Sequence, residues 1–177
     1  VNVGTNPNPA DMPNLFFSRR IGLNNGHKVP IRGGGRITGK TGPYSIGALD
    51  IQTGDETRFG EPSTNFGVVR IKRDILRRSS IGTLVTHRSV TSSGQGSNQL
   101  FGLDGVFSFF QSLNINTYIA KTRTDGLAGH DLSYRAQLDY GADRYGLQLE
   151  HMLMDDHFNP EVGFVRRSAF RRNSAYA

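Results

Sequence analysis

The residues best suited to chemistry lie near the end of the chain, where His151, Asp155, Asp156 and His157 combine imidazoles and carboxylates. Such donors suit several divalent ions. On an extended chain neighbouring side chains alternate faces, so Asp155 and Asp156 point apart. The cluster reads better as a polar strand end running into a loop, and no metal site is expected. Gly33-Gly34-Gly35-Arg36 imitates a phosphate cradle, and Gly39-Lys40-Thr41 imitates the end of a nucleotide-binding motif. Both chemistries need a helix N-terminus immediately after the loop, and no helical pattern follows either stretch. Ser, His and Asp are all present, but no Gly-x-Ser-x-Gly nucleophile elbow occurs. A glycan hydrolase would need two carboxylates roughly 5–10 Å apart; Asp104 with Asp139, or Asp139 with Glu150, are the available pairs. No catalytic residue and no cofactor is assigned, and the chain is not expected to be an enzyme.

The remaining reactive groups are cations. Lys and Arg number 21 against 15 Asp and Glu, giving a formal charge of +6. A basic balance favours anionic partners such as lipopolysaccharide or anionic sugars. The cations are interleaved with acids, which points to paired charges rather than to a nucleic-acid stripe. Arg19-Arg20, Arg77-Arg78, Arg166-Arg167 and Arg171-Arg172 would suit phosphates, because guanidinium binds them bidentately. They would serve equally as ion pairs with Asp74, Asp143 and Glu161. The chain has no cysteine, which excludes disulfides, thiolate catalysis and Cys-based zinc sites.

These groups must be carried by strands. Hydrophobic residues make up 36% of the chain, with no run of about 18 that would form a transmembrane helix. No leader peptide is visible, as expected of an exported chain that has lost one. From about residue 29 segments alternate with period two, the signature of strands with unlike faces. They run Ile31–Lys40, Ser45–Thr53, Thr64–Asp74, Ser80–Val90, Asn98–Phe110, from Leu113, from Leu132 and from Tyr145. Connections alternate between short (after Lys40, Ile75, Phe110 and Tyr140) and long (after Thr53, Val90 and Thr122). Residues 1–28 read as an extended lead-in with one short strand at Leu15–Gly22, and 158–167 as a break and the start of another strand.

Short turns at one end and long loops at the other describe an up-and-down membrane barrel. Segments of about ten residues match a tilted membrane strand and exceed the usual globular strand of about 5–6 residues. One face carries Val69, Ile71, Ile81, Val85, Phe101, Leu103, Phe107 and Phe109 and would meet lipid. The other carries Arg32, Arg36, Lys40, Asp50, Arg70, Lys72, Arg88, Asp104, Arg135, Asp139 and Glu150 and would line a lumen. Tyr44, Tyr134, Tyr140, Tyr145 and Phe158 are candidates for an interfacial aromatic girdle. The competing reading is a soluble β-sandwich or barrel, such as a carbohydrate-binding module, whose apolar face is its core.

Four stretches carry a resemblance. They are Phe16–Gly22, Val29–Lys40, Arg70–Asp74 leading into Ser79–Gly82, and Phe158–Arg167 with Asn159-Pro160-Glu161 at its centre. They resemble a domain-of-unknown-function family of bacterial outer-membrane proteins. In that family a barrel-like region follows a family-9-type carbohydrate-binding-like domain. The resemblance covers most of the chain from about residue 15 and implies location and fold, with no catalytic residues. No such sugar-binding domain is present here, and the terminal aromatic of many barrels is lacking, so a barrel segment is expected.

The expectation is therefore an all-β antiparallel meander of about eight or more long strands. It comprises a lead-in (1–28) and a barrel segment (29–177) of the bacterial outer membrane. Its role would be structural or in transport. Arg32, Arg36, Arg70, Lys72, Arg88 and Arg135 would line a lumen suited to anionic or glycan solutes. Its partners would be membrane lipid or lipopolysaccharide, a glycan, and the rest of its own barrel or a partner chain, with no nucleic acid.

Overall fold

A computed structural model describes residues 11–24, 26–58 and 60–177. A small hairpin of β1 (Leu23–Asn24) and β2 (His27–Lys28) precedes nine longer strands. These are β3 (Ile31–Thr41), β4 (Tyr44–Thr53), β5 (Asn65–Ile75), β6 (Ser79–Arg88), β7 (Asn98–Phe109), β8 (Leu113–Thr124), β9 (Leu132–Gly141), β10 (Gly146–Met154) and β11 (Phe170–Tyr176). They form one sheet in strict chain order, each strand antiparallel to the next. β3 and β11 are the two edges and do not pair with each other, so the sheet is open. The expected all-β meander is what the chain forms.

The turns explain the order. β3 and β4 are joined by Gly42-Pro43, and Gly42 has a φ of +53° that favours glycine. β5–β6 and β7–β8 close through Leu76-Arg77-Arg78 and Phe110-Gln111-Ser112. Loops at the opposite end are longer, and the longest leads from β10 to β11.

One face of the sheet is covered and the other is bare. The covered, inner face carries Phe66, Val68, Leu84, Leu100, Tyr118, Ala120, Met152 and Met154 toward the long-loop end. Leu15 and Ile21 from the lead-in and Phe158 and Val162 from the β10–β11 connection lie against them. These two covering segments hold each other: Asn14 and Phe164 exchange two backbone hydrogen bonds, and the Phe17 N–H donates to the Val162 carbonyl. The outer face carries the alternate residues of the same strands. Its Phe101 is 53% exposed, Leu103 45% and Ile119 47%.

Four features differ from the sequence reading. Leu15–Gly22 is not a strand; it makes a 3-10 turn at Ser18–Arg20 and docks on the inner face. Phe158–Arg167 starts no strand either, because its apolar residues are drawn inward, and the last strand begins at Phe170. Phe158 is 2% exposed, so it belongs to the core rather than to a girdle. Asp50 lies on the outer face, since Leu49 and Ile51 turn inward to meet Val68 and Phe66. The expectations for residues 1–10 fall outside the described residues.

Gly163 is the contact on which the two covering segments depend. A Cβ there would collide with the Asn14 carbonyl and press on Leu15. Gly163→Val should cost about 1–3 kcal/mol through overpacking and detach the lead-in. Limited trypsin digestion should then cut faster at Arg19-Arg20 while the strand hairpins stay protected.

Candidate functional site

The inner face gathers charge in three places. The first is Arg70 on β5, which binds Asp104 on β7 bidentately; Nη2 to Oδ2 is 2.8 Å. These residues are two strands apart, and the guanidinium crosses directly over Gly82 on β6. A Cβ at Gly82 would lie 2.6 Å from Arg70 Nη2, so the absence of a side chain there opens the route.

The second is Arg88, buried at the end of β6 and 3.2 Å from Glu161. Its guanidinium lies over the Phe66 ring, 5.5 Å from the centroid. Glu161 also accepts from the Ser92 N–H at 2.9 Å, the Ser92 hydroxyl at 3.0 Å and Asn159 Nδ2 at 3.2 Å. Asn98 donates to the Asn159 carbonyl at 2.9 Å and accepts from the Glu161 N–H at 3.3 Å. The Asn159-Pro160-Glu161 stretch thus supplies the anion and the backbone groups that fasten the β10–β11 connection over β6 and β7.

The third is a network at the other side of the sheet. Arg135 on β9 is 1% exposed. Its Nε donates to Glu150 Oε2 at 2.6 Å, and it also donates to the Gln137 amide oxygen. The other Glu150 oxygen accepts from Arg172 Nε on β11 at 2.9 Å. Arg172 Nη1 reaches Asp11 of the lead-in at 2.6 Å. Two guanidinium and two carboxylate groups balance. Burying an unmatched charge costs several kcal/mol, so the network holds β9, β10, β11 and the lead-in in one arrangement.

The six lumen candidates do not form one cluster. Arg70, Arg88 and Arg135 are each matched by a carboxylate. Arg32 is exposed and lies 3.6 Å from Asp55. Arg36, exposed on edge strand β3, and half-buried Lys72 on β5 have no ion pair among the described residues. Lys40 shares this end of the inner face and contacts Asp74 at 3.4 Å with both groups largely exposed.

The metal-like cluster disperses. His151 faces outward, bonded to the Tyr134 hydroxyl at 3.0 Å and to Asn173. Asp155 accepts from the Leu132 N–H at 3.2 Å, and Asp156 lies 3.9 Å from His130. No group of three or more metal-ligating side chains occurs among the described residues. Of the carboxylates available for hydrolysis, Asp104 and Glu150 are held by guanidinium and Asp139 accepts from Gln137 at 2.9 Å. In the long loops, the N–H and hydroxyl of Ser97 hold the Asp125 carboxyl below the usual carboxylate range. No family model, curated protein or solved structure matches this chain.

Sequence reasoning placed Arg135 and Glu150 on one face without joining them. The signal was present, since the turn after Tyr140 fixes Arg135 opposite Met152 and Gln137 opposite Glu150, leaving Arg135 and Glu150 diagonal neighbours. The Arg88–Glu161 and Arg172–Asp11 pairs join residues far apart in sequence and have no such local signal.

Removing one member of a buried pair should be far more damaging than removing an exposed one. Glu150→Ala removes the carboxylate that buried Arg135 shares with Arg172 and should cost about 3–5 kcal/mol. Asp74→Ala should cost about 0.2–1 kcal/mol. Urea unfolding followed by circular dichroism measures both.

Proposed function

We propose that this chain is a wall segment of a bacterial outer-membrane β-barrel with a structural or transport role. The observation that carries the reading is the bare outer face. A soluble sandwich buries its more apolar face, whereas here that face is left open and the charged face is covered. Along β7 the outward residues are Phe101, Leu103, Gly105, Phe107 and Phe109. At about 3.3 Å per residue they cover roughly 26 Å of strand, and a tilt near 40° reduces this to about 20 Å. The apolar band of membrane barrels is about 25 Å tall.

The ends of the band support the same reading. Toward the long loops one register row across five strands reads Asp50, Gly67, His87, Gln99 and Arg123, replacing apolar residues with polar ones. Toward the short turns stand Tyr44, Tyr140 and Tyr145, with Arg73 stacked on the Tyr44 ring at 5.3 Å. Aromatic and basic side chains suit the membrane interface. Tyr134 lies farther along the face, beside His151, and is not part of this rim.

The covering segments fill much of the inner face, so the segment is a plugged wall rather than the side of a wide pore. A basic surface remains at the short-turn end, formed by Arg36, Lys40 and Lys72. It suits an anionic or glycan solute, and it is where a transport role would be exercised. The resemblance to outer-membrane proteins that carry a sugar-binding-like domain points the same way.

The chain should require detergent, show β-type circular dichroism, and shift in gel mobility on boiling. It has no tryptophan, so single introduced indoles are clean reporters. Brominated lipid should quench Phe101→Trp strongly and the inner-face Phe158→Trp weakly. A soluble compact monomer, or equal quenching of the two, would sink the membrane reading.

A further inference from the structure

The two edges of the sheet specify what must lie between them. The nine long strands alternate in direction, so β3 and β11 run the same way. Direct closure of β3 onto β11 would therefore require a parallel pair in a sheet that is otherwise antiparallel throughout. A second copy inserted in the same sense meets the same obstacle, because its β11 would lie parallel to β3. Only an odd number of intervening strands keeps every pair antiparallel, in line with the even strand numbers of bacterial barrels.

Charge narrows the choice further. On the inner side β3 offers Arg36 and Lys40, and Lys72 lies two strands in, across Ser45. Arg36 and Lys72 have no carboxylate among the described residues. β11 carries Arg171 outward, and its inward Arg172 is already matched by Glu150 and Asp11. A second copy turned over so that β3 met β3 would bring Arg36 and Lys40 edge to edge, and like charges across a strand pair are destabilising. An approaching strand with inward carboxylates would meet Arg36 favourably. Its outward residues would continue the apolar band.

We infer that β3 and β11 are docking edges for an odd number of antiparallel strands from polypeptide outside these 177 residues, the strand against β3 carrying inward Asp or Glu opposite Arg36. The inference rests on the barrel reading above, but it makes separate claims about parity and sign. β3 is well suited to accept such a strand. It is long, every residue in it is exposed, and Cβ atoms at Gly33, Gly35 and Gly39 would meet nothing. Unpaired edges of this kind are templates for strand addition.

The test uses the full chain in detergent micelles and two ten-residue peptides, one alternating valine with glutamate and one alternating valine with lysine. Amide hydrogen exchange is followed across Ile31–Thr41. The glutamate peptide should slow exchange there at least tenfold and the lysine peptide should not. Arg36→Glu, at an exposed edge position that tolerates change, should reverse the preference. Equal protection by both peptides, or by neither, overturns the inference. So does protection, before any peptide is added, of the β3 amides that point away from β4. The chain lacks cysteine, so a Gly35→Cys/Ala175→Cys variant reports direct contact between the edges. A disulfide joining them, within one chain or between two, overturns the parity argument. Solubility without detergent is read before any peptide is added. That result would overturn the membrane reading, and the peptide experiment can then be run in buffer on the edges alone.

Discussion

The need to match buried guanidinium groups governs the inner face. Arg135 is almost wholly removed from solvent, and a guanidinium does not lose its proton at accessible pH. Its charge must therefore be met where it sits. Glu150 meets it from the neighbouring strand, but that carboxylate also faces Arg172 on β11. The surplus positive charge is balanced by Asp11, far away in sequence. One local requirement thereby fixes the register of three strands and recruits the lead-in to the same face. Arg88 and Glu161 do the same for the β10–β11 connection. The two segments covering the sheet are thus placed by charge at their ends, and apolar contacts of Leu15, Ile21, Phe158 and Val162 fill the space between.

Glycine makes that arrangement geometrically possible. Gly82 leaves a path for Arg70 to reach across β6 to Asp104. Gly102 lies beneath the Leu15 side chain, with the Cβ it lacks falling 3.4 Å from Leu15 Cδ1. Gly163 lets the connection approach the lead-in backbone. Glycines within strands weaken a sheet taken alone. In this molecule they are the points where a second layer comes close, so that cost is offset by the packing it permits.

The strands were legible because period-two alternation and turn residues are local. Eight of the nine long strands were delimited to within a few residues, and the alternation of short and long connections follows directly. What escaped was set by partners distant in sequence. Phe158–Arg167 reads as a break and the start of a strand, yet Glu161 and Val162 are drawn inward to Arg88 and the core, and the last strand begins at Phe170. Leu15–Gly22 is apolar enough for a strand, but this stretch meets the β10–β11 connection through the isolated Asn14–Phe164 bridge and the Phe17–Val162 hydrogen bond rather than through a ladder. Asp50 was assigned by its charge to the inner face, whereas the inward packing of Leu49 and Ile51 decides the matter. The lumen candidates were legible as a class, because alternation places most of them on one side. Which of them retain free charge was not, since that depends on Glu161 and Asp104 arriving from elsewhere.

The two faces together constrain how the sheet can exist. Its outer rows carry Val69, Val85 and Phe101 in one register line and Ile46, Ile71, Leu103 and Ile119 in another. Fully burying a side chain of this size contributes about 1.5–3 kcal/mol, so a water-exposed sheet would forgo a large part of its stabilisation. The inner face cannot take over the task, because its interior is already committed to charge pairs and to the two covering segments. Turning the sheet over would expose the small core and bury the outer row of Asp50, His87 and Arg123 against apolar surroundings. An apolar medium on the outer face would satisfy both faces at once, which is the physical argument behind the proposed membrane setting. In that proposed setting the edges of the sheet would still need polar partners for their N–H and C=O groups. The inferred strands against β3 and β11 would meet that need, which no further contact between the two faces of the sheet can do.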